Sequence, residues 1–227
     1  MDEGGSGPVV GGADGIWAAA AVGELVDRVA SDYAVRPSAG EAERARSEYD
    51  RWRGRVFEDD ELYPTHIATF LEWFVIERVA AAGLTPIVSA LLAGEVDPPA
   101  AHLARALACS HRSLFEVREV RAGALWLTDL IGGGRWRCGG VGAPAEPLLL
   151  VSPGELMEAR LVPWRGGIAL GPVALFHPAG ARRAVHELLA RRRAAGRLDG
   201  AVLGLLAEMY LRWGRVRNIA VERIYSE

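Results

Sequence analysis

Ser113-Leu114-Phe115-Glu116-Val117-Arg118-Glu119-Val120 is where the chain changes its period. Before it, apolar residues recur every three or four positions; from Ser113 onward they alternate on a period of two, the spacing of a strand. Leu114 to Val120 and Ala124 to Ile131 read as strands joined by a turn at Ala122-Gly123. Gly132 to Gly134 gives the next turn and Arg135 to Cys138 a third strand. Gly139 to Pro147 is a loop of small residues, and Ser152-Pro153-Gly154 is a turn. Leu156 to Pro163 and Ile168 to Phe176 complete a hairpin across Arg165-Gly166-Gly167. So many short strands in succession predict a small antiparallel β-barrel, which would close its own edges.

Helical periods lie on both sides. Ile16 to about Val35 carries Val22, Leu25, Val26 and Val29 at three- and four-residue spacings. Glu41 to Arg53 is a charged helix with Tyr49 and Trp52 turned inward. The most apolar helix of the N-terminal half begins at Pro64 and ends at Gly83, with Ile67, Phe70, Leu71, Phe74 and Val75 on one stripe and Trp73 and Ile76 widening it, the mark of a central helix. Thr85-Pro86 and Asp97-Pro98 each pair a capping side chain with a proline at the first helical position. After His177-Pro178, Arg182 to Ala195 is an arginine-rich helix and Gly200 to Trp213 an apolar one. The expected fold is α+β: a flexible arm over 1–15, a helical block over 16–110, a small antiparallel β-barrel over 111–178 and a C-terminal helical pair over 179–227, in one compact unit with the barrel.

All 26 basic side chains are arginine. Without lysine there is no Schiff base, no phosphate loop ending in Gly-Lys-Ser/Thr and no Ser-x-x-Lys nucleophile. GC-rich coding composition accounts for the bias, since glutamine is also absent and Asn218 is the sole asparagine. The formal net charge of −3 is unevenly spread: residues 1–110 carry 18 acids and 9 arginines, residues 111–227 carry 11 acids and 17 arginines. Attraction between the halves, or separate solvated faces, is one reading, and an anionic partner for the second half is another. Cys109 and Cys138 match no metal or redox spacing, and Cys109 is expected to pack as a small hydrophobe. The acidic, Gly-rich amino terminus does not resemble a secretory signal, and no apolar run is long enough for a membrane span. A cytoplasmic protein with reduced thiols is therefore expected.

Few residues suggest chemistry. Glu58-Asp59-Asp60-Glu61 with His66 lacks the alternation of a calcium loop and reads as a solvated run before a helix. Glu72 is the carboxylate best placed to act as an acid if buried, but Glu77, five positions on, does not share its helical face. Ser110 and His111 would need a distant acid, and His186 beside Glu187 is a second pair to test. No metal site, cofactor or catalytic residue is assigned. The arginines Arg182, Arg183, Arg191, Arg192, Arg193 and Arg197 suit an anion or nucleic acid, with Trp126, Trp136 and Trp164 as stacking surfaces. Met209, Tyr210 and Trp213 are residue types enriched in protein interfaces.

Phe70-Leu71-Glu72-Trp73-Phe74 leading to Gly83-Leu84-Thr85-Pro86, then Ser113 to Val120 with Leu127-Thr128-Asp129-Leu130, then Pro153-Gly154-Glu155-Leu156 with Ala159 to Pro163, occur in an order that resembles the uncharacterised region of many bacterial proteins that also bear a SEC-C metal-binding motif. The resemblance spans about Arg46 to Pro178. The cysteine-rich SEC-C module is absent, so it implies a recurring helical and β unit but no metal and no activity. The leading expectation is a non-enzymatic interaction or regulatory protein of the bacterial cytoplasm acting through protein–protein contacts, with homo-oligomers open. Nucleic-acid binding through the barrel and arginine helix is the alternative, and a hydrolase centred on the acidic helix the third.

Overall fold

The computed structural model describes residues 19–34, 40–121, 124–139, 151–216 and 218–226. The expected arm over 1–15, the Ala122-Gly123 turn and most of the Gly139–Pro147 loop lie outside them. The elements run α1 (Ala19–Ala34), α2 (Glu41–Arg53), α3 (Tyr63–Glu72), α4 (Pro86–Ala93), α5 (Pro98–Ala108), β1 (His111–Arg121), β2 (Ala124–Asp129), β3 (Arg135–Gly139), β4 (Leu156–Trp164), β5 (Gly167–Phe176), α6 (Arg182–Ala194), α7 (Ala201–Arg215) and α8 (Val221–Ile224). No helix among the described residues is long and apolar enough to cross a membrane.

The five strands form one antiparallel sheet in the order β3-β2-β1-β4-β5. It curls until β3 and β5 approach, yet among the described residues no ladder joins them, so the expected barrel is corrected to an open, coiled sheet. Two features oppose closure. β3 is only five residues long, and β5 bulges at Gly171-Pro172, where proline offers no N–H to a neighbouring strand. The inner face holds its own core of Phe115, Val117, Leu127, Met157 and Leu161.

Helices cover the outer face. The first five pack on Val162, Trp164 and Ala169 at one end. At the other, α6, α7 and α8 pack on Leu114 and Leu156. Ile224 and Tyr225 anchor the unanticipated α8, with the Tyr225 hydroxyl 3.0 Å from Nδ1 of the buried His177.

Three local expectations change. The helix from Pro64 does not run to Gly83: after Glu72 it widens into a π-helical turn over Trp73–Glu77, closed by the Arg78 amide donating to the Trp73 carbonyl. Thr85 and Asp97 make no capping hydrogen bond, and Asp97 instead pairs with Arg28 at 2.6 Å. Cys109 is exposed rather than packed.

The contact between α2 and α7 depends on Gly204. A Cβ there would lie 2.1 Å from Trp52 Nε1 and 2.4 Å from the Trp52 carbonyl oxygen. Gly204→Ala should therefore lower stability by about 3 kcal/mol, the upper range for overpacking, seen as a lower urea midpoint. Gly23→Ala in α1, where an added methyl meets nothing within 4 Å, should raise it by about 0.5–1 kcal/mol.

Candidate functional site

Two polar constellations distinguish the molecule, one inside and one on the surface. The inner one lies between the helices and the outer face of the sheet. Arg53 at the end of α2 donates from Nη1 and Nη2 to the two oxygens of Glu158 on β4, each at 2.8 Å. Arg112 on β1 donates from Nε to the same carboxylate at 2.7 Å. Arg160, two residues along β4, donates from Nε to Glu72 at 3.1 Å, from Nη1 to Ser110 Oγ at 3.1 Å, and from Nη2 to Glu77. Three guanidinium groups thus meet three carboxylates with no net charge.

The π-helical turn makes this possible. Its i→i+5 bonding stacks residues five apart, so Glu72 and Glu77 converge on Arg160 although ideal α-helical spacing separates them. On the sheet side, Gly171 approaches so closely that a Cβ would sit 3.1 Å from the Cβ of Arg160.

Burial would raise Glu158, but Arg112 and Arg53 outweigh it and hold its pKa at about 2. Burial prevails at Glu72 and pushes it above the usual carboxylate range despite Arg160 and Arg112. Glu72 is thus buried as expected for an acid, but its neighbours are arginines of the fold.

His111 finds its acid in Asp129. Nε2 lies 2.8 Å from Asp129 Oδ2, and Ser113 Oγ donates to Oδ1 at 2.5 Å. The same carboxylate accepts the amides of Ile131 and Gly132, which shapes the β2–β3 turn. Burial opposes the charge on Asp129, and these donors overcome it, lowering its pKa. Ser110 does not join: its hydroxyl donates to the Leu107 carbonyl. Both Ser113 and His111 bind one carboxylate, so no serine–histidine–acid relay is formed. His186 and Glu187 separate, His186 facing Glu116 at 3.8 Å and Glu187 pairing with Arg183. In the acidic run, Asp60 pairs with Arg215, which holds its carboxyl at about 2. No group of three metal-ligating side chains occurs among the described residues.

The surface constellation is arginine-rich. Arg182 of α6 binds the buried Glu116, joined there by Arg118 at 3.0 Å. Arg193, near the other end of α6, donates to the Leu130 carbonyl at 2.7 Å, setting that end beside the β2–β3 turn. Arg191, Arg192 and Arg197 have no acidic partner among the described residues. Across the turn, β3 projects Arg135 and Arg137 on the side of Trp126, which pairs with Arg137. Of the strand tryptophans, Trp164 is buried and Trp136 half-buried, whereas Trp126 stays 41% exposed.

The expected interface on α7 is largely internal. Met209 is buried, and Tyr210 and Trp213 are half-buried against the helical core with their rings edge to face. Comparison of the chain with protein-family models, curated proteins and solved structures gives no match.

Glu158→Gln should destabilise by about 3–5 kcal/mol, because Arg53 and Arg112 would remain buried with their counter-charge gone. The pH dependence has a definite sign. A carboxylate held at about 2 in the fold, against an ordinary value of 4.5, contributes stability that is full above about pH 4.5 and lost as pH falls toward 2. Glu158→Gln should remove that part of the acid limb in unfolding followed by circular dichroism. Glu72, with its raised pKa, acts in the opposite sense, so Glu72→Gln should lessen the loss of stability as pH rises past the carboxylate range.

Proposed function

We propose that the protein is a non-enzymatic binding protein that takes a nucleic acid on the arginine-rich face built by α6 and the β2–β3 hairpin. One observation carries this reading: Arg191 and Arg197, exposed, and Arg192, half-buried, have no acid of the described fold to neutralise them. Arg191 and Arg192 lie in the last turn of the helix whose end Arg193 fixes beside β2 and β3, and Arg197 follows in the turn after it. Fixed positive charges on one face bind a phosphate backbone by releasing its counterions, whatever the net charge of the whole chain. The strongest acid–histidine pair, Asp129–His111, serves a turn, so no catalytic step is assigned. A regulatory role in the bacterial cytoplasm fits a binder with two free thiols.

A protein partner is the second reading, favoured by a different surface. Phe57, half exposed, has the guanidinium groups of Arg55 and Arg215 at 5.3 and 5.4 Å from its ring centre. It borders a cavity of about 360 Å³ lined also by Gly54, Glu208 and Leu211. Aromatic and arginine side chains at a concave site are the usual anchors of protein contacts.

Mobility shift and anisotropy at a series of salt concentrations decide between them. Binding to nucleic acid should weaken linearly on a log–log plot. The triple variant Arg191→Ala, Arg192→Ala, Arg197→Ala should flatten that slope by about 2–3, near 0.7–0.9 for each lost phosphate contact. Its melting curve should be unchanged. Absence of any shift at low salt would sink the nucleic-acid reading.

A further inference from the structure

We infer, resting on the nucleic-acid reading above, that the ligand of this face is single-stranded and that one of its bases stacks on Trp126. The outer face of the sheet is covered by helices over Leu114, Leu156 and Val162 and by the ion pairs of Arg112, Glu158 and Arg160. Cover ends at Glu116, whose carboxylate is held by Arg182 from α6. Beyond it, across β2 and β3, the face continues through Thr128, Trp126, Arg135 and Arg137.

This strip has the composition of a stacking platform. Trp126 sits in the middle of β2, fixed on a rigid element between cross-strand neighbours Glu119 and Arg137. The Arg137 guanidinium lies 5.8 Å from the centroid of the indole, covering the ring by a cation–π contact. Arg137 and Arg135 are exposed at one side of the strip, and Arg193 closes the end at the Leu130 carbonyl. An arriving base takes the place of the Arg137 guanidinium on the indole, and the guanidinium turns to the adjoining phosphate. Glu119 faces the strip from β1 beside Trp126, and Glu116, opposite Thr128, is held by Arg182; phosphate is disfavoured at that edge. The backbone is therefore directed toward Arg135, Arg137 and α6.

A duplex cannot use this arrangement, because its bases keep their faces in the stack; an unpaired base presents a π-face whatever its identity. Arginines alone would serve strand and duplex alike, so the exposed tryptophan, once Arg137 has turned aside, is what selects the single strand.

Anisotropy titrations of the full chain with a labelled oligothymidylate of about 12 nucleotides, within the range of single-strand site sizes, and with a duplex of equal length provide the test. The single strand should bind at least about tenfold more tightly than the duplex. Trp126→Ala should lose about tenfold on the single strand, the scale of one base–aromatic stack, and nothing on the duplex. In the wild type the strand should quench tryptophan emission, and Trp126→Phe should keep most of the affinity while losing that quench. Equal affinity for strand and duplex, with Trp126→Ala indistinguishable from wild type, overturns the stacking assignment and leaves the arginine-face reading standing. Failure of both polymers to bind at low salt overturns both. Should Trp126→Ala melt early, Trp126→Phe carries the test, and an unaltered quench in that variant refutes the assignment.

Discussion

Glu158 and the two arginines that close on it decide how the helices and the sheet meet. A buried carboxylate is costly unless its oxygens are saturated by donors, and here Arg53 and Arg112 supply them from α2 and β1. Two residues farther along β4, Arg160 repeats the device with the signs exchanged, a buried guanidinium between Glu72 and Glu77. Three arginines and three glutamates therefore meet there as a matched set, every side chain but that of Glu77 buried. Such a set adds little net stability over an apolar interface, but it tolerates no partial occupancy, because losing one member leaves its partner charged and dry. Register follows: moving β4 by a single residue would carry Glu158 and Arg160 to the inner, apolar face.

Arginine suits this role better than lysine. Its planar fork binds both oxygens of one carboxylate, and it is less strongly hydrated than an ammonium. The lysine-free composition is thus compatible with the interior of the protein, even if base composition brought it about. The same interior explains part of the uneven charge. Arg112 and Arg160 from the second half answer Glu72 and Glu77 from the first, and Arg215 answers Asp60. In α6 and its following turn Arg182, Arg183 and Arg193 are held by groups of the second half, whereas Arg191, Arg192 and Arg197 answer no acid of the described residues and are the ones available to a ligand.

Much of the fold was legible. The change of period at Ser113, the prolines opening α4 and α5, and the glycines between strands located nearly every described element to within a few residues. Closure of the sheet was not legible, because it depends on how two edges meet rather than on either strand's pattern. The pairing of Glu72 with Glu77 was hidden for a different reason. Helical periodicity assumes an undistorted α-helix, and the π-helical turn at Trp73 changes which residues share a face. Trp126, Trp136 and Trp164 look equivalent in sequence; only their places on the coiled sheet leave the first bare and cover the last. Asp129 gave no signal as the acid for His111, since eighteen positions and a strand reversal separate them.

Arg160 lies 88 positions after Glu72. At a synthesis rate of about 5–20 residues per second, roughly 4–18 seconds pass between the appearance of the carboxylate and that of its guanidinium. Until then the central helix has nowhere to bury Glu72 as an ion, and an α-helix without its widened turn would hold Glu72 and Glu77 on different sides. The order of translation therefore places the completion of the helical block after the emergence of β4. The part of the chain made first is thus finished only with a residue made much later.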